Sequence, residues 1–239
     1  YVDGDIIYSQ LTPALLKSLL DWADTELWKP KWFPETVSVC RDFYFKKTKS
    51  RLNQFRVKYA NWSEPSTVNG LEVVTMDQYL DMIDWEQLCT TTEWVFIHGD
   101  FQFENVIYNP ENKKFTCIDW RTDFGGDSYG DIYYDLAKML GGIYLDYQAV
   151  KADKLVYEEQ SQRVQLNNCG IPNADDYAAI VREFCKSAGL DWDKVRLLVP
   201  IIYLNMSPLH EAPFDKYLFA LAQSYFERYF NESANCYTK

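Results

Sequence analysis

Long apolar runs are missing from this chain of 239 residues; the longest, residues 197–204, has eight and is interrupted by Pro200. A bilayer-spanning helix takes about 20 apolar residues, so a transmembrane helix is excluded. Basic clusters are also missing. The 24 Lys and Arg stand against 35 Asp and Glu, a net charge of -11. That balance argues against a nucleic-acid or anionic-membrane partner. It is compatible with a cationic substrate, although an acidic excess more often serves solubility. Metal-ligating patterns are scarce: there are two His, and none of the six Cys forms a C-x-x-C pair, which argues against a zinc site. Scattered cysteines of this kind read as reduced thiols in a cytoplasmic setting. Glycine is nearly absent from the first 69 residues, where only Gly4 occurs, so no glycine-rich phosphate loop lies there. The 47% apolar and 25% charged residues exclude disorder, collagen and coiled coil.

The patterning predicts a mainly helical α+β chain. Thr12 is a candidate N-cap with Pro13 at the first helical position. Leu15, Leu16, Leu19, Leu20, Ala23 and Leu27 follow at helical spacing. A second helix is predicted over about 41–59, with Phe45, Thr48, Leu52 and Phe55 on one face. Residues 61–70 read as a loop and 76–88 as a helix. Residues 94–97, 106–108 and 115–118 read as strands. The turn residues Asn109, Pro110, Glu111 and Asn112 make the last two strands a hairpin. Residues 132–141 read as helix, and 155–166 are ambiguous between strand and helix. Three helices are predicted near 174–188, 192–206 and 214–230, with Gly189 suited to follow the first.

The informative stretch is His98-Gly-Asp100-Phe-Gln-Phe-Glu-Asn105, followed by Ile118-Asp119-Trp120. It reads H-x-D-x-x-x-x-N, then an Asp at the end of an apolar strand. Phosphoryl transfer needs few protein groups: a carboxylate to orient the attacking hydroxyl, and an amide oxygen with a second carboxylate to hold Mg2+ on the phosphates. Antiparallel pairing returns the hairpin to its origin, so Asn105 and Asp119 become neighbours. Asp100 lies one short loop upstream. Hard oxygen donors of this kind suit Mg2+.

Together with Gly130-Asp-Ile-Tyr-Tyr-Asp-Leu-Ala-Lys138, these residues resemble the aminoglycoside phosphotransferase and choline kinase superfamily, small-molecule kinases with the protein-kinase-like fold. The run from Ile118-Asp-Trp-Arg to Tyr134-Asp-Leu-Ala-Lys is similar in flavour to a bacterial branch found with surface-polysaccharide genes. The resemblance implies that Asp100 is the catalytic base and that Asn105 and Asp119 bind Mg2+ of a bound ATP. It implies that His98 supports the loop and that Asp131 and Asp135 brace it. Tyr1 and Val2 would belong to a hinge whose backbone meets the adenine. On this expectation residues 1–10 are the hinge and 11–239 a C-terminal lobe of the kinase-like fold. The lobe would hold a catalytic loop at 98–105, a metal-binding hairpin at 105–119 and a helical acceptor-binding region at 131–239. The chain is then expected to continue a nucleotide-clamping N-terminal lobe that lies outside it, and to be inactive without that lobe.

Arg121 lies two residues after Asp119 and would face the same side of an extended segment, towards a phosphate or anionic substrate; a structural ion pair is the alternative. His210 would line the acceptor pocket or fill a capping or core position. Glu104 reads as solvated. Aromatic residues make up 17% of the chain, which would furnish a cage for a quaternary ammonium, but no spacing singles one out. The reading is therefore an ATP- and Mg2+-dependent phosphotransferase acting on a hydroxyl of a sugar or polysaccharide precursor, an amino alcohol or an aminoglycoside. The alternative is a non-catalytic kinase-like binding or regulatory module.

Overall fold

The structure, a computed structural model, describes residues 3–121, 124 and 128–236. After β1 (Asp5–Ile6), the hydroxyl of Thr12 accepts from the Leu15 N–H and Pro13 opens α1 (Pro13–Trp22). Leu16, Leu19 and Leu20 are the buried stripe of that helix. It widens into a π-helical turn, Ala23–Leu27, which seats Leu27 and Trp28 in the core.

The helix predicted from 41 begins earlier. It runs as α2 (Thr36–Cys40), a π-helical stretch (Arg41–Lys46) and α3 (Lys47–Lys58). The wider turn lets the consecutive Phe43 and Tyr44 both face inward, between Cys40 and the Thr48, Leu52, Phe55 stripe. Phe45 is displaced to a half-buried position against Trp85, ring centroids 5.2 Å apart. The 61–70 loop carries a short strand, β2 (Thr67–Val68), which turns into β3 (Leu71–Glu72). The single helix predicted over 76–88 is two: α4 (Met76–Met82) and α5 (Trp85–Thr90). Asp84 breaks it by capping the Gln87 N–H, and the Trp85 indole takes the Leu80 carbonyl at 2.8 Å.

Strand β4 (Trp94–Phe96) leads into the 98–105 loop. The predicted hairpin is β5 (Val106–Asn109) and β6 (Lys114–Cys117), in register Val106↔Cys117, with β1 on the far edge of β5. Strand β7 (Tyr129–Asp131) pairs antiparallel with β4, placing Asp131 opposite Trp94. It runs directly into α6 (Ile132–Tyr144), followed by α7 (Tyr147–Lys151).

The ambiguous 155–166 segment is a hairpin, β8 (Tyr157–Gln160) and β9 (Arg163–Leu166). Strand β9 pairs parallel with β2, from about 100 residues away in sequence. Asn69 secures that junction by bonding both the N–H and the carbonyl of Leu166. The chain finishes in α8 (Ala174–Ala188), α9 (Trp192–Met206) and α10 (Phe214–Cys236). Gly189 sits in the left-handed region after α8 at φ +70°.

Helix α9 is buried on almost every side, from Val195 to Leu204, and packs between α6 and α10. Its near-continuous apolarity, a sign of a central helix, is thus accounted for. The molecule is α+β and mainly helical, with small sheets. Among the described residues no helix is long and apolar enough to cross a membrane.

Candidate active site

The 98–105 loop is held from three sides. His98 is fully buried and bridges two elements. Its Nδ1 accepts from the Asp100 backbone N–H at 3.2 Å. A backbone N–H can only donate, so the proton of the ring sits on Nε2, which donates to the Ile118 carbonyl at 2.8 Å. One imidazole therefore ties the loop to the end of β6. The Arg121 N–H adds a second tie, to the His98 carbonyl at 3.0 Å. Gly99 makes this approach possible. It has φ +78°, and a Cβ there would stand 2.2 Å from the Arg121 carbonyl oxygen.

Asp135 holds the loop from beneath. Its carboxylate accepts from the N–H groups of His98 at 2.8 Å and Gly99 at 2.9 Å, and from the Trp28 indole at 3.1 Å. Burial pushes the Asp135 pKa up, while those donors pull against the rise. Asp131, paired with Asp135 in the sequence reading, does something else. Its carboxylate takes Lys194 Nζ at 2.6 Å, the Tyr44 hydroxyl at 3.0 Å and the Glu93 N–H at 3.3 Å. It secures the β4–β7 junction and the root of α6.

The Asp100 carboxylate lies between two cations. Lys138 Nζ is 2.9 Å from Oδ1, and Arg121 Nε is 3.8 Å from Oδ2. Oδ1 is buried and has no well-angled hydrogen bond, so Lys138 holds it by charge rather than by alignment. Burial works to lower the Lys138 pKa, but the neighbouring Tyr134, Asp100 and Tyr147 outweigh it and raise the pKa above the ordinary lysine value. Lys138 was not singled out from the sequence. The available signal was its spacing: residues 135 and 138 of one helix share a face, so a carboxylate bracing the loop carries a lysine to it.

Asn105, buried, donates from Nδ2 to the Asp100 carbonyl at 2.9 Å, which leaves Oδ1 as its acceptor. Its own carbonyl accepts from the Ile118 N–H at 2.9 Å. Asp119 is therefore one residue past the partner of Asn105. It is exposed and has φ +54°. That left-handed turn removes the extended alternation on which a shared face for Asp119 and Arg121 depended. Arg121 is instead the exposed partner of Asp100.

Glu104 is not solvated: Lys151 Nζ at 3.0 Å and Gln148 Nε2 at 3.0 Å both reach its Oε1. His210 packs on Phe214, ring centroids 4.7 Å apart, and burial lowers its pKa, with Lys138 and Lys58 adding to the lowering against Asp215. Tyr1 and Val2 lie outside the described residues.

Asn105 Oδ1 and the exposed Asp119 carboxylate are hard oxygens on adjacent ends of one hairpin. Among the described residues no group of three or more His, Cys, Asp or Glu could cage an ion. Such a two-donor arrangement fits Mg2+, which is typically held by one or two side chains with phosphate and water completing the shell.

A solved structure of choline kinase from Cryptosporidium parvum Iowa II aligns with 98% of this chain and 70% of its own, at 12% identity and a TM-score of 0.45. No curated protein sequence matches the chain. The model of the phosphotransferase enzyme family, APH, matches residues 41–196, a span that includes the 98–105 loop, the hairpin and α6. The chain belongs to the APH phosphotransferase enzyme family.

Proposed function

We propose that the chain is the catalytic part of a protein that transfers the γ-phosphoryl group of ATP, with Mg2+, to a hydroxyl of a small molecule. The observation that carries this reading is the suspension of Asp100. Its N–H is fixed by His98, its carbonyl by Asn105 and its carboxylate by Lys138. Only positioning and charge are asked of the protein in such a transfer. Asp100 would orient the acceptor hydroxyl and take its proton. Asn105 and Asp119 would hold the cation, which when bound offsets the negative charge of the phosphates. His98 would act through the backbone, since both ring nitrogens are already engaged. The five described cysteines are free, which supports a reducing, cytoplasmic location.

The test is acceptor-dependent ADP release by the full-length protein against a panel of sugars, amino alcohols and aminoglycosides. Asp100→Asn keeps the shape and removes the base. A positioned base contributes about 10^2–10^4-fold, and a loss of that size is expected. Undiminished acceptor-dependent release by the variant would overturn the assignment.

A further inference from the structure

The chain carries a net charge of -11, yet among the described residues two cations stand against Asp100. Lys138 stands on one carboxylate oxygen and Arg121 beside the other. The next carboxylate of the loop, Glu104, is occupied by Lys151 and Gln148. Asp135 beneath is filled by three N–H donors. Asp119 is assigned above to the cation. Beyond Lys138, Met206 Sδ lies 3.9 Å from Nζ and accepts from the Tyr147 hydroxyl at 3.3 Å. Lys138 is itself anchored, with only 11% of its side chain exposed.

An ammonium-bearing acceptor needs carboxylates that are not already paired, and it is repelled by a fixed ammonium at the point of attack. Resting on the phosphotransfer reading, we infer that Lys138 sets the charge of the acceptor: the hydroxyl compound that docks beside Asp100 is uncharged or anionic around its reacting hydroxyl, and not an ammonium. Lys138 is a specificity-determining residue in this scheme.

The experiment uses three arms of probes with the full-length protein: glucosamine, choline and kanamycin as cations; glucose and glycerol as neutral polyols; glucuronate and glycerate as anions. Each is measured for equilibrium binding without nucleotide, by saturation-transfer NMR, and for ADP release with Mg-ATP. Neutral or anionic probes should bind, with glucosamine about 10-fold or more weaker than its ring-matched partners. Lys138→Met should erase that discrimination, while Lys138→Arg, which keeps the charge, should preserve it. Near-UV circular dichroism confirms that each variant is folded.

Equal or tighter binding of the cations overturns the inference, as does a failure of both other arms to bind. A Lys138→Met effect equal in all three arms also overturns it, leaving Lys138 to position Asp100 only. Binding of neutral or anionic probes with no ADP release in any arm sinks the phosphotransfer reading while leaving the charge preference standing.

Discussion

Replacing Lys194 by Met tests how the active-site scaffold is held. The Lys194–Asp131 pair is 2.6 Å apart, with side chains 3% and 0% exposed. Tyr44 and the Glu93 N–H also serve Asp131, but both are neutral donors. Lys194→Met removes the cation and leaves a buried carboxylate, a change that typically costs about 3–5 kcal/mol. The loss should therefore be about 3–5 kcal/mol.

A domain with about 5–15 kcal/mol of stability survives this loss, so urea unfolding measures it. The double variant Lys194→Met/Asp131→Asn carries no charge and should recover to within about 1–2 kcal/mol of the parent. A single-variant loss under about 1 kcal/mol would refute the reasoning. The scaffold matters because Asp131 sits where β7 meets β4 and starts the helix bearing Asp135 and Lys138.

Gly99→Ala should uncouple the loop from the hairpin. The new Cβ would meet the Arg121 carbonyl oxygen at 2.2 Å, and a displacement of about 1 Å can cost about 10^2-fold in rate. ADP release within twofold of the parent would contradict the geometry. The thiols offer a separate check. Burial pushes Cys89 up to about 11 and Cys117 and Cys185 each up to about 12, and raises Cys40 further. At pH 8 these four stay protonated and sequestered, so Ellman's reagent should react slowly with them until urea exposes all six cysteines. Fast native reaction of more than two of the six would show that the core is looser than described.

The helices and the hairpin were legible because their signals are local. Thr12 and Pro13 start α1, the 109–112 turn closes β5 onto β6, and apolar spacing marks α8, α9 and α10. The misses share a cause: distant partners decided them. The π-helical stretch at 41–46 serves a core that wants both Phe43 and Tyr44. The 155–166 segment becomes a hairpin because β2 offers it an edge. Glu104 read as solvated until Lys151 came to it across the turn after α6.

For the site, the sequence by itself determined the residue types and their order: a histidine, an aspartate and an asparagine in one loop, with a second aspartate ending the returning strand. Those follow from spacing, because a short loop and a tight hairpin leave the chain few places to go. Tertiary structure decided how each group is used. It sent Asp135 to the loop and Asp131 to Lys194, two carboxylates four residues apart with different work. It turned Asp119 through a left-handed residue and set Lys138 against Asp100. The physical reason is that charge pairing acts through space at about 3–4 Å, whatever the separation along the chain.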